Sequence, residues 1–173
     1  IVTDSGLQSD AAELKLYVTA TGGTPTTDGD YKIHTFTGPG TFCVSAVGNC
    51  AGSNSLDYLV AAGGAGGGVG IAAPAAGGAG GGGAGGFREG YNPGSYTASP
   101  LATTALPVSV TGYPIDVGGG GGSGAIGNNS TFSTIISAGG GDGGNAATSY
   151  TAGNAGGSGG GAGAGNPGAS GVQ

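Results

Sequence analysis

The side chains able to do chemistry are few and far apart. The single histidine, His34, stands in the alternating segment Tyr31-Lys32-Ile33-His34-Thr35-Phe36. There an imidazole is more often a strand residue than a catalytic base. The nine acidic residues are scattered, with no two placed as an acid/base pair. Asp28-Gly29-Asp30 has residue types that suit calcium, but the remaining oxygen ligands of a calcium loop are missing and the triplet reads as a turn. GxGxxG matches arise from composition alone, and no GxxxxGK[ST] occurs, because neither Lys15 nor Lys32 follows a glycine run. On this reading the protein is not an enzyme, and it calls for no metal and no cofactor.

Cys43 and Cys50 flank Ser-Ala-Val-Gly-Asn beside a turn. A short-loop disulfide and a pair of small buried thiols are equal readings, because spacing does not establish the geometry of a bridge. With one histidine and two cysteines, a four-ligand zinc site is disfavoured. Asn128-Asn129-Ser130 and Asn129-Ser130-Thr131 match the glycosylation acceptor, which matters only in a eukaryotic producer.

What remains is binding. Phe87 to Tyr96 concentrates aromatics, the Arg88/Glu89 charge pair and turn formers, as an exposed loop would. Tyr91, Asn92 and Tyr96 are the candidate receptor contacts, since Tyr and Asn give adaptable contact area at low entropic cost. Tyr150 and Asn154 form a second set. The plainer alternative is that these rings cap the ends of a glycine bundle. Phe87, directly after a glycine run, reads as a structural plug.

Those side chains must be positioned by an unusual chain. Of 173 residues 47 are glycine, about four times the ordinary share. Charged residues are only 7%, so charge repulsion cannot keep the chain open as it does in typical disordered proteins. A net charge of −6 with three basic residues excludes a nucleic-acid partner and an anionic lipid surface. No apolar run is long enough for membrane insertion as a helix. A chain that starts at Ile1 and contains no Met reads as a processed product or an internal fragment.

Gly63 to Gly86, GGAGGGVGIAAPAAGGAGGGGAGG, dominates the chain, and Gly118–Gly127, Gly139–Gly144 and Gly153–Gly168 repeat its character. Glycine loses the most backbone entropy on ordering and buries no side chain in return. Such a run is a disordered linker, or it lets backbones approach so closely that main-chain hydrogen bonds replace a core. Short alternating segments between the runs favour order. Val69–Ala76 then turns the chain between two antiparallel passes of roughly 25–30 Å in polyproline-II-like geometry. A residue whose Cα faces a neighbour must be glycine, and alanine fits where the face is open. No strict Gly-X-Y period exists, which excludes collagen.

Glu13–Ala20 alternates, with Leu14, Leu16 and Val18 sharing a strand face. Tyr31–Val44 is nearly symmetric about Pro39, and predicts a hairpin closed by Gly38-Pro39-Gly40 with Thr37 opposite Thr41 and Phe36 opposite Phe42. Leu56–Ala62 is a strand. Leu106–Val110 and Tyr113–Val117 are two strands about Thr111-Gly112, confined to edges or strand starts by Pro107 and Pro114. Ser130–Ala138 is a further strand. Three times a strand empties into glycine: Val60 into Gly63, Val117 into Gly118, Ala138 into Gly139.

The ordered set TFTGPGTFCV (Thr35–Val44), LDYLVAAGGAGGG (Leu56–Gly68), GGAGGFREG (Gly82–Gly90), YPIDVGGGGG (Tyr113–Gly122) and STFSTIISAGGG (Ser130–Gly141) resembles the glycine-rich domains of bacteriophage tail fibres and tail-tip adhesins. The resemblance spans about Thr21 to Gly144. It implies polyglycine-II helices stacked into a sandwich whose turns meet the host. The glycine-rich extracellular region of the anaplastic lymphoma kinase receptor is similar at its YLV-to-glycine junction, but shares less.

The expected fold is mostly β and irregular, with short antiparallel strands and a hairpin feeding a packed polyglycine-II bundle, and essentially no α-helix. Residues 1–22 would be a connecting segment with one strand, 23–144 the glycine-rich domain, and 145–173 a further pass. The expected function is non-enzymatic attachment to a bacterial surface glycan or outer-membrane protein, in a virion tail fibre or otherwise outside the cell. Two further readings are a self-assembling subunit of an extracellular filament, joined to other copies through Ile1–Val18, and an ice-binding protein.

Overall fold

The computed structural model describes residues 14–49, 52–71, 77–92, 102–146, 151–164 and 168–171. Its strands are β1 (Thr19–Thr21), β2 (Thr24–Asp28), β3 (Tyr31–Thr35), β4 (Gly40–Ala46), β5 (Ser55–Leu56), β6 (Tyr58–Ala61), β7 (Phe87–Tyr91), β8 (Thr103–Thr104), β9 (Leu106–Pro107), β10 (Gly112–Asp116), β11 (Ser130–Phe132) and β12 (Ile135–Ser137). They form an open sheet in the order β1-β4-β10-β11-β12, a β6-β7-β8 sheet, and the separate pairs β2-β3 and β5-β9. Among the described residues the rest is irregular chain, with no helix and no closed barrel.

The apolar core is small and aromatic. Phe132 is the hub, meeting Phe42 edge-on at 6.2 Å, Tyr58 at 6.1 Å and Tyr113 at 6.1 Å between ring centres. Ala20, Val44 and Val60 complete the buried cluster. Aromatic pairs of this geometry each add about 0.5–1.5 kcal/mol beyond the area they bury. This cluster joins the five-stranded sheet to β6.

Several strands pair differently from the expectations. The hairpin about Pro39 does not form. β3 pairs with β2, in register from Thr24↔Thr35 to Asp28↔Tyr31, and β4 pairs with β1 and β10 instead. Gly29, at φ +56°, gives the two-residue Gly29-Asp30 connection the positive φ that tight hairpins require. Phe36 is therefore not opposite Phe42. Its ring lies against Gly22, Gly23 and Gly40, where a Cβ would come within 3.0–3.2 Å of it.

In Glu13–Ala20 only the end becomes strand. Leu14 and Leu16 are 74% and 48% exposed, and Val18 alone of the three apolar residues packs against the core. Leu106–Val110 and Tyr113–Val117 do not pair with each other. β9 pairs only with β5, so Pro107 does sit on an edge, but β10 lies between β4 and β11 with Pro114 inside it. Pro114 is tolerated because the β10–β11 register begins beyond it at Ile115↔Phe132, and its carbonyl still accepts from Ser133 N–H at 2.8 Å. The expected single strand Ser130–Ala138 is a hairpin, bent at Ser133 by a φ of +54°.

One antiparallel register runs from sheet into glycine. Tyr58↔Gly90 to Ala61↔Phe87 are strand partners, and Ile71↔Gly77 is a bridge on the same diagonal. Between them the spacing of bonds changes from two residues to three. The N–H groups of Ala62, Ala65 and Gly68 donate to the carbonyls of Gly86, Gly83 and Gly80. Gly80, Gly83 and Gly86 donate onward to Gly144, Gly141 and Ala138, and Gly140, Gly143 and Ala146 donate to Gly63, Gly66 and Val69. Gly141 and Gly144 donate to Ser158 and Gly161, while Ser158, Gly161 and Ala164 donate to Ala84, Gly81 and Gly78. These bonds measure 2.7–3.2 Å. Residues 139–144 lie in the middle and are buried at every position.

Glycine is a steric requirement at the crossing points. A Cβ on Gly66 would fall on the Gly122 carbonyl oxygen, on Gly80 on that of Gly161, and on Gly140 on that of Gly83. At Gly78, Gly81 and Gly122 it would meet nothing within 4 Å, and the alanines of the same runs, Ala79 and Ala84, are exposed. Gly140→Ala is therefore expected to lower stability by roughly 1–3 kcal/mol or to prevent folding, as forced overlap in a packed interior does. Gly81→Ala is expected to raise stability by about 0.4–1 kcal/mol, through a less free unfolded chain. Paired thermal melts read both, and equal melting of the two variants would contradict the account.

Candidate functional site

Where the strands end away from the glycine segments, the loop before β5 and the residue after β7 enclose an open cleft of about 440 Å³. Its polar side chains are Asn49, Ser53, Asn54, Ser55 and Asn92. The volume falls within the roughly 300–1,000 Å³ of small-ligand sites.

Asn49 builds one wall. Its Oδ1 accepts from Leu16 N–H at 3.0 Å and Gly52 N–H at 2.9 Å, and its Nδ2 donates to Leu14 O at 2.7 Å. Asn49 and Ser53 also give their own N–H groups to Leu16 O. Gly52 is needed because a Cβ there would fall on that same carbonyl. This amide stands in for a neighbouring strand, and explains why Leu14–Leu16 lies extended on the surface although its leucines are exposed.

The opposite wall is held by β5 and β9, with Val108 N–H donating to Asn54 O at 3.0 Å. Asn92 joins it: its N–H donates to Asp57 Oδ1 at 2.8 Å and its Nδ2 to Ser55 Oγ at 3.1 Å. Ser55 Oγ lies 3.3 Å from Ser53 Oγ. The hydroxyls are thus fixed by amides and by each other. No imidazole or carboxylate contacts Ser53 or Ser55 among the described residues, so the arrangement offers hydrogen bonds, not an activated nucleophile.

The expected contacts fall in different places. Asn92 lines the cleft. Tyr91 is half-buried at the end of β7, with its carbonyl accepting from Ala105 N–H at 3.0 Å. Tyr96 and Tyr150 lie outside the described residues. Asn154 is remote from Asn92. It donates from Nδ2 to Asp142 Oδ1 at 2.6 Å and from its backbone N–H to Asp142 O, which ties segment 151–157 to the buried middle segment. Cys43 is an exposed free thiol on β4, and Cys50 lies outside the described residues. His34 donates from Nδ1 to Gly22 O at 2.7 Å and stands edge-on to Phe42. Phe87 pairs with Ala61 and is 41% exposed.

A second cleft, of about 480 Å³, runs beside Asp116–Gly119 and Ile126–Asn129. Here Asn129 Oδ1 accepts from Gly139 N–H at 2.9 Å, so an acceptor-motif asparagine caps a glycine segment. Comparison with protein-family models, with curated proteins and with solved structures found no match to this chain.

Asn49, Ser53, Asn54 and Ser55 were not expected at the site. The signal was present in Gly48-Asn-Cys-Ala-Gly-Ser-Asn-Ser55, a run of small polar turn formers whose cysteine drew the interpretation. Asn49→Ala removes three hydrogen bonds at once. It is expected to cost about 1–3 kcal/mol and to speed hydrogen exchange at Leu16 and Gly52. An unchanged melt with unchanged exchange at both amides would show that the wall does not depend on it.

Proposed function

We propose that the glycine segments are polyglycine-II chains bundled side by side, and that the bundle is the scaffold of a host-attachment domain of the bacteriophage tail-fibre or tail-tip kind. The observation carrying this is the three-residue step of hydrogen bonds on either side of residues 139–144. Polyproline-II geometry has three residues per turn. A chain of that form therefore presents each third amide to one neighbour and the next to another, which is how Gly140 and Gly143 address one segment and Gly141 and Gly144 a different one.

Such a scaffold is stiff without oily side chains, and recognition then belongs to loops at its ends. The cleft at Asn54, Ser55 and Asn92 lies in loops at the far end of the strands that run into that scaffold. Its ligand is a bacterial surface glycan or an outer-membrane protein, and the domain works outside the cell or on a virion. The filament reading requires Ile1–Val18 to reach another copy. Leu16 and Tyr17, however, are bonded within their own chain, Tyr17 bridging Ser53, which favours attachment over strand exchange.

Two measurements test the proposal. Amide exchange resolved by residue is expected to be slow at Gly80, Gly83, Gly140, Gly141, Gly143 and Gly144, and fast at Gly81 and Gly82 between them. Uniformly fast exchange would overturn the scaffold. Labelled protein incubated with a panel of bacterial isolates is expected to be retained by a subset of them, less so after Asn92→Ala. Retention by none, or equally by all, would overturn attachment.

A further inference from the structure

We propose that the cleft between the loop before β5 and the end of β7 is a binding site for a neutral saccharide. This rests on the attachment reading and assigns the ligand class to one site. The argument begins with what the walls have left to offer. Asn49 holds Leu14, Leu16 and Gly52, which takes both lone pairs of its oxygen and one of its two amide protons. Asn92 Nδ2 donates to Ser55 Oγ, which also lies 3.4 Å from Asn92 Oδ1 and 3.3 Å from Ser53 Oγ, so the Ser55 hydroxyl is engaged within the wall. The Asn54 side chain, exposed at the cleft, makes no hydrogen bond among the described residues, while its carbonyl is pinned by Val108. A primary amide carries two donors and an acceptor with two lone pairs, and each serine hydroxyl both donates and accepts. The Ser53 hydroxyl is likewise taken up by the Ser55 backbone and hydroxyl, so the Asn54 amide and the spare protons of Asn49 and Asn92 present donors and an acceptor on an anchored frame. Adjacent hydroxyls of a sugar ring match that arrangement, because each of them also donates and accepts.

Charge and shape narrow the class. Among the described residues no charged side chain lines the cleft. Asp57 accepts the Asn92 backbone N–H, and the chain as a whole carries −6. An acidic sugar or a phosphate would thus enter without a counter-charge against an unfavourable field. A peptide would want a pocket for an apolar anchor, and among the described residues no apolar side chain lines these walls.

The test is an array of neutral and acidic oligosaccharides probed with the full chain, followed by titration of each ligand retained. The expected result is binding to one or more neutral sugars. Asn54→Ala should weaken it about tenfold, as loss of two neutral hydrogen bonds does, with no change in the melt because that side chain holds nothing in the fold. Ser55→Ala gives a second reading of the same site. Selective binding of acidic sugars, no binding to any sugar, or affinity unchanged by both substitutions would overturn the assignment. Bacterial retention is measured in parallel with Asn54→Ala. Retention that persists while the array is blank sinks the saccharide site and leaves attachment standing. Loss of both on the wild-type chain sinks the two together.

Discussion

The structure depends on how near one main chain can come to another. Across the glycine segments, the carbonyl oxygen of a neighbour occupies the volume in which a Cβ would have to sit, as Gly122 O does for Gly66 and Gly83 O for Gly140. That proximity lets amide and carbonyl bond at 2.7–3.2 Å on several sides of one chain. Each bond contributes only about 0.5–1.5 kcal/mol net, and each glycine costs more ordering entropy than any other residue. The arrangement is sustained by number and by mutual shielding. Residues 139–144 are the extreme case, buried at every position although only Asp142 among them has a side chain.

Order has to be supplied at the edges of such a body, since glycine has no side chain to select a register. The strands supply it. β6 and β7 enter the glycine region already paired, and their diagonal continues unbroken to the Ile71↔Gly77 bridge. β12 delivers Ala138 to the carbonyl position that Gly86 needs. The Phe132 aromatic cluster ties β6 to the larger sheet, so the phase of two strands is fixed before either becomes featureless. Ser137, at the last strand position, is wholly buried, and among the described residues its hydroxyl has no partner. A buried orphan of this kind costs about 1–3 kcal/mol, and it marks a junction so tight that close approach has prevailed over satisfaction of a polar atom.

How much of this could be read in advance differs by element. The strand-to-glycine junctions at Gly63, Gly118 and Gly139 were legible, because composition changes abruptly there. The rule that alanine occupies open faces follows from the size of a Cβ and holds at Ala79 and Ala84, but not at Ala146, which is fully buried. Strand partners were not legible. Phe36 and Phe42 look like cross-strand mates about Pro39, but the positive φ available at Gly29 and the free edges of β1 and β10 decide the pairing, and neither is a property of the local segment. Leu14 and Leu16 alternate as core residues do, yet their position is set by an asparagine at 49 bonding their backbone. At the cleft, Asn92 was expected from loop chemistry, although Phe87–Tyr91 before it is strand β7 and not an exposed loop. Asn54 and Ser55 were not, because their role comes from tertiary closure against a residue almost forty positions away.

Bonds that recur at every third residue also constrain how such a gene can drift. Repetitive glycine codons invite slippage during copying, and most insertions in a loop would be harmless. Within these segments, adding one residue puts every amide beyond it out of step with the three-residue spacing of its partners' carbonyls, and moves side chains to positions where a neighbour's oxygen leaves no room for a Cβ. Length can change here only in whole triplets of residues, made in step on facing segments, which gives the glycine regions a heritable reading frame of their own, set by geometry and not by translation.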